Sequence, residues 1–278
     1  VNSFGTRLRA AVADRGRLCV GIDPHESLLA QWGLAGSAQG VREFGLRVVA
    51  AAAGHAAVVK PQVSFFERWG AAGFAALEAV VQEARAAGLI VIADAKRGDI
   101  GSTMDAYAEA WLTPGSPLEA DALTVNPYLG VGTLDRAFTL AETHGKGVFV
   151  LAATSDPAGF GVQRARGLSG ETVSASVVRE VSDRNARTTA AGEWAALGFV
   201  IGATVDWTDA GLSAFAPPAP ILAPGFGHQG AGLADLARYG SAAPQVLASE
   251  SRSILSAGPD RIAQAIALRA EQYRSTSV

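Results

Sequence analysis

Short apolar runs alternate with amphipathic segments about eight times between residues 18 and 273. Runs such as Leu89-Ile90-Val91-Ile92-Ala93 and Leu197-Gly198-Phe199-Val200-Ile201-Gly202 are apolar throughout, not at every second position. Strands of that kind are covered on both faces, as in a parallel sheet under helices. Two architectures accept the alternation, an open doubly wound sheet and a closed barrel. The repeat number suits closure, and no dinucleotide-binding glycine fingerprint follows the first run, so the pattern predicts an α/β (β/α)8 barrel.

Strands are predicted at residues 18–24, 57–61, 89–93, 122–126, 147–152, 197–202, 220–224 and 245–248. Helices are predicted at 4–15, 41–54, 71–87, 102–111, 134–143, within 171–190, and at 207–215, 231–239 and 260–273. Composition is even, with no long linker, so residues 1–278 are expected to form one barrel domain with an N-terminal helix. The polar segment at about 154–170 is long for a plain connection and suggests a functional loop or lid.

A net charge of −3 gives no general basis for nucleic-acid binding, although it leaves room for a local basic pocket. The single cysteine, Cys19, excludes an intramolecular disulfide and every multi-cysteine zinc motif. It lies in the apolar run Leu18-Cys19-Val20, where a buried, inert thiol is expected. No signal-peptide core and no bilayer-length apolar stretch is legible, which points to a cytoplasmic protein without a membrane partner.

Polar residues gather where predicted strands end: Asp23, Lys60, Asp94, Asn126, Thr154 and Ser155. In a barrel those ends converge on one mouth. The segment Asp94-Ala95-Lys96-Arg97-Gly98-Asp99 places Asp94 and Lys96 two apart, so they share a strand face. With Lys60 and Asp99 they make two ammonium and two carboxylate groups, which hold one another ionised if they meet. A structural ion-pair network explains any one pair, but poorly explains four charges on one rim. Pro224-Gly225-Phe226-Gly227-His228-Gln229-Gly230 follows the seventh strand. Its glycines let backbone N–H groups approach an anion, and the next helix would offer its N-terminus. Arg252, after strand eight, supplies a forked cation for phosphate. Thr154 and Ser155 could orient a polar heterocycle or merely cap the turn before Pro157. His25, His55 and His144 read as isolated surface or packing residues, and no metal-type spacing connects any histidine.

The Asp94-x-Lys96-x-x-Asp99 motif resembles the orotidine 5′-monophosphate decarboxylase family. So do Asp23, Lys60, the Pro-Gly-x-Gly-x-Gln-Gly loop ending at Gly230, and Ser251-Arg252-Ser253-Ile254. The Asn126-Pro127-Tyr128 turn and the length resemble the longer bacterial form; Ala231 departs from a common glycine. The resemblance implies decarboxylation of orotidine 5′-monophosphate to uridine 5′-monophosphate and CO2, with no cofactor and no metal. It implies Lys96 as proton donor to C6, Asp94 beside the leaving carboxylate, and Lys60 and Asp99 completing the charge array. Asp23 and Lys60 would lie near the ribose, Thr154 and Ser155 at the pyrimidine edge, and Gln229 and Arg252 on the phosphate. It also implies a homodimer in which Asp99 and Thr103 act in the partner's site. Two alternatives stand beside it: a Mg2+-dependent phosphosugar decarboxylase or aldolase of the same superfamily, and a catalytically silent barrel that binds phosphate ligands.

Overall fold

The computed structural model describes residues 2–275. Eight parallel strands close into a barrel in sequence order: β1 (Leu18–Ile22), β2 (Val58–Pro61), β3 (Ile90–Arg97), β4 (Ala122–Val125), β5 (Gly147–Ala153), β6 (Leu197–Ile201), β7 (Ile221–Pro224) and β8 (Val246–Glu250). Closure is made by β1 against β8, with Leu18 opposite Ala248 and Val20 opposite Glu250. The single-domain (β/α)8 barrel read from the alternation is the fold observed.

Alternation along each strand sorts side chains into two apolar cores. Outward residues such as Val20, Val59, Val91, Leu123 and Val150 pack beneath the helices. Inward residues Cys19, Val58, Ile90, Ile92, Ala122, Phe149, Leu222 and Leu247 fill the lumen. Fully burying one such Val, Leu, Ile or Phe side chain is worth about 1.5–3 kcal/mol. The helix Phe4–Arg15 closes the N-terminal end of the barrel, where Phe4 and Leu8 join the lumen cluster. Phe4 meets Phe149 edge-on at 6.0 Å. Gly147 is required here, because a Cβ on it would lie 2.4 Å from the Phe4 ring. Among the described residues, no helix is long and apolar enough to cross a membrane.

Most expected helices appear close to their predicted bounds, including Gly70–Ala86, Gly101–Leu112 and Val173–Thr188. Three differences matter. The short helices Glu26–Gln31 and Ser64–Glu67 were not legible, because a turn or two is too short to show an apolar period. The segment expected as a helix at 231–239 is a run of 3₁₀ turns over Leu233–Gln245, broken at Gly240 (φ +52°) and carrying Pro244. The 154–170 segment is also not bare loop. It carries a 3₁₀ turn at Pro157–Gly159 and a helical turn at Phe160–Gln163.

Candidate active site

The mouth of the barrel holds a cavity of about 340 Å³. Lys60 lies next to last in β2, Asp94 and Lys96 lie in β3, and Thr124 lies in β4, all at inward positions. Asp94 is the centre of the group. Its Oδ2 accepts a hydrogen bond from Lys60 Nζ at 2.8 Å, and its Oδ1 accepts from Lys96 Nζ at 2.5 Å. Thr124 Oγ1 donates to the same Oδ1 at 2.9 Å and accepts from the Lys96 backbone N–H at 3.0 Å.

Burial by itself would push the Asp94 carboxyl up, but the two ammonium groups override it and hold the acid well below the usual carboxylate range. For Lys60, burial pulls downward, and the charges of Asp94 and then Asp23 reverse the result, so the ammonium is held above the usual lysine value. The Lys60 and Asp94 side chains are both 6% exposed, whereas Lys96 is 42% exposed. One lysine is therefore locked in place, and the other is fixed at its tip yet open to the cavity.

Lys96 has φ +47°, the left-handed region, which is unusual for a residue with a long side chain. The β3–β4 register shifts between Ala93 and Arg97 at this point. Strand pairing resumes with Arg97 opposite Val125, so the departure is local and braced on both sides. The expectation of Asp94 and Lys96 on one face is met, but on a bulged strand whose strain a period-two pattern does not reveal.

Asp23 lines the same cavity, and its Oδ1 is buried without a hydrogen-bond partner among the described residues. A buried, unpaired carboxylate oxygen beside a cavity is suited to a ligand hydroxyl. Thr154, Ser155, Gln229 and Arg252 also line the cavity. Thr154 is tied to the 154–170 segment, because Gln163 Nε2 donates to its hydroxyl at 2.7 Å and its own N–H donates to Gln163 Oε1 at 2.9 Å. Arg252 is exposed and pairs with no acid among the described residues.

The glycine-rich loop differs in detail from expectation. Gly225, Gly227 and Gly230 all have positive φ (+116°, +73° and +96°). The N–H groups of Gly227, Gly230 and Ala231, however, bond to loop carbonyls instead of facing outward. The following helical segment is also closed at its start, where Asp235 Oδ2 accepts from Gly232 N–H at 2.8 Å. An acid already holds the N-terminus expected to meet an anion. The side chains of Gln229 and Arg252 border the cavity beside this loop.

Asp99 and Thr103 do not line this cavity. Asp99 Oδ1 accepts from the Ile100 N–H at 2.8 Å, and Asp99 makes no ion pair among the described residues. Thr103 is exposed in the first turn of Gly101–Leu112. One chain thus brings together three members of the predicted quartet, with Asp23 as a second acid.

Residues given no site role by the sequence also line the cavity: His25, Gln62, Asp156, Ser249 and Ser251. His25, expected as an isolated surface or packing residue, meets the Phe65 ring edge-on at 4.4 Å while bordering the cavity. The available signal was its place two residues beyond Asp23. Ser249 and Ser251 continue the inward alternation of β8. Cys19 is fully buried, and burial pushes its thiol up to about 12, as an inert core thiol requires.

Comparison with known proteins agrees with this geometry. The family model of the orotidine 5′-phosphate decarboxylase / HUMPS family matches residues 16–265. The orotidine 5′-phosphate decarboxylase of Salinispora arenicola is 52% identical, over 94% of this chain and 92% of its own length. A Streptomyces avermitilis crystal structure superposes with a TM-score of 0.93 at 46% identity, covering 99% of this chain and 96% of that one. The OMP decarboxylase of Leishmania donovani superposes with a TM-score of 0.75 at 30% identity, covering 99% of this chain and all of that one. With the family model spanning most of its length and a relative at 52% identity, the chain belongs to the orotidine 5′-phosphate decarboxylase / HUMPS family.

Proposed function

We propose that this chain is a carboxy-lyase that converts orotidine 5′-monophosphate to uridine 5′-monophosphate and CO2, the closing step of pyrimidine nucleotide synthesis. The observation that carries the reading is the Lys60–Asp94–Lys96 array in a cavity that also holds an unpaired arginine. Breaking the bond from C6 to the carboxylate leaves an electron pair on the ring carbon. A site that favours charge at C6 over charge on the carboxylate lowers the barrier. Lys96 Nζ supplies positive charge there and then delivers the proton to C6, while CO2 departs; solvent reprotonates the open lysine.

Asp94 faces the leaving carboxylate in this reading. Two like charges about 4 Å apart repel by roughly 4 kcal/mol at an effective dielectric of 20. Enzymes lower barriers by about 8–23 kcal/mol, so repulsion is the lesser effect and stabilisation by Lys96 the greater. Asp23 and Lys60 meet the ribose, Thr154 and Ser155 the pyrimidine edge, and Gln229 and Arg252 the phosphate.

The metal-dependent alternative fits the donor set poorly. Lys60 Nζ lies 2.8 Å from the Asp94 carboxylate, where a divalent cation would need its ligand. Among the described residues, no group of three His, Cys, Asp or Glu side chains is placed to hold a metal ion. The direct test is loss of orotidine 5′-monophosphate absorbance on mixing, in EDTA. Turnover unaffected by EDTA is expected. Binding without turnover would favour a silent ligand-binding barrel, and loss restored by Mg2+ would favour the metal-dependent branch.

Arg252→Ala is expected to act mainly on binding. A hydrogen-bonded charge pair is worth about 1.5–3 kcal/mol, so KM should rise roughly 10- to 150-fold. An unchanged KM would place the phosphate elsewhere.

The same reading makes the enzyme a homodimer with shared sites. The loops after β3 and β4 touch, since a Cβ on Gly98 would lie 2.4 Å from Asn126 O. Together they expose Ile100, Tyr128 and Leu129, an apolar rim beside Asp99. A second copy covering that rim would bring its own Asp99 and Thr103 toward this cavity. A cytoplasmic setting accords with the single, buried cysteine.

A further inference from the structure

We infer that Glu250 is a positioning residue for the phosphate grip, acting through Tyr273, Arg269 and Ser253; the inference rests on the reading that this cavity takes a nucleoside 5′-phosphate. Glu250 ends β8 on its outward face, and its side chain is 0% exposed. Tyr273 OH donates to Oε1 at 2.6 Å, and Arg269 Nε lies 3.2 Å from the same oxygen. Ser253 Oγ donates to Oε2 at 2.7 Å. Burial first, and then the bond to Glu250, pushes the Tyr273 phenol up, which keeps it a donor.

A charge at that position is not needed for packing. The other outward residues of β8, Val246 and Ala248, are apolar, and a buried ion pair is commonly no more stabilising than an apolar group of the same shape. The cluster lies against the phosphate machinery instead. A Cβ at Gly227 would stand 2.7 Å from Glu250 Oε2, so the loop backbone rests on the carboxylate. Phe226, the preceding residue, meets the Tyr273 ring edge-on at 6.0 Å. Ser253 follows Arg252 directly. One carboxylate therefore joins the turn carrying Arg252, the loop carrying Gln229 and the C-terminal helix Ile262–Ser275. Arg252 has no partner of its own among the described residues, so its aim depends on the turn beneath it. A misplacement of about 1 Å in such a group is enough to lose function.

The test is Tyr273→Phe, which removes one hydroxyl and keeps the ring on Phe226, with Ser253→Ala as a second variant if the first does not fold. With wild-type turnover of orotidine 5′-monophosphate established first, each variant is expected to raise KM about tenfold, with kcat changed less than about twofold. In an Arg252→Ala background the same change should shrink to less than about twofold, because both substitutions disable one grip. Glu250→Gln, which keeps an acceptor, should be milder than Glu250→Ala. An unchanged KM in a folded Tyr273→Phe protein, or effects that simply multiply with Arg252→Ala, would overturn the inference. Failure of the wild type to turn over this substrate would overturn the underlying reading instead.

Discussion

Lys96→Ala is expected to leave the barrel folded and to lower kcat by about 10⁵-fold or more, with substrate still bound. Two losses combine. Removing a positive charge about 4 Å from a carbanion costs roughly 4 kcal/mol at an effective dielectric of 20, near a thousandfold in rate. Losing the positioned proton donor costs a further factor of about 10² to 10⁴. The fold should tolerate the change. The Lys96 side chain is 42% exposed, so its own pairing is worth little, about 0–1 kcal/mol. Asp94 also keeps Lys60 at 2.8 Å and Thr124 at 2.9 Å. Replacing Lys60 would be different, because that ammonium is buried against the same carboxylate and its loss would strand a charge. The measurements are a thermal melt within a few degrees of wild type, product-nucleotide binding by calorimetry, and single-turnover decarboxylation. Rates within tenfold of wild type would remove Lys96 from the chemistry.

How much of this was legible follows from which physical rule sets each feature. Period-two alternation puts Asp94 and Lys96 on one face, the strand-end position brings Lys60 to the same mouth, and burial on both faces implies parallel strands under helices. The same rule places Thr124 inward, one strand over from Asp94, so the hydroxyl that braces the site lay within reach of the pattern and went unread. The left-handed backbone at Lys96 lay beyond it, because strain is imposed by neighbours on both sides and leaves no mark on residue type. The loop after β7 was legible as a glycine pattern. Its internal hydrogen bonds, and the Asp235 cap on the next segment, depend on a three-dimensional path that composition does not specify. Glu250 was the least legible. It falls two residues past the predicted end of the eighth strand, and only the arrival of Tyr273 and Arg269 from a distant helix makes it buried.

Asp99→Ala and Lys96→Ala proteins, each inactive alone, are expected to regain activity when mixed and allowed to exchange subunits. Within one chain Asp99 reaches no lysine and stands outside the cavity, beside an exposed apolar rim on the β3 and β4 loops. An acid in that position can serve a lysine array only across an interface. There it would supply the second carboxylate, and its removal would cost roughly 4 kcal/mol of pairing, or about a thousandfold in rate. In a mixed dimer, the site built on the Asp99→Ala chain has its own Lys96 and the partner chain's intact Asp99. The other site lacks both. Random exchange makes half the dimers mixed, so about a quarter of all sites should recover. Thr103→Ala paired with Lys96→Ala should follow the same rule with a smaller starting loss, since a hydroxyl carries no charge. Subunit exchange is followed by mass difference between tagged copies, and activity is read at equal total protein. No recovery after demonstrated exchange would place Asp99 outside the partner's site, and the exposed rim would then need another explanation.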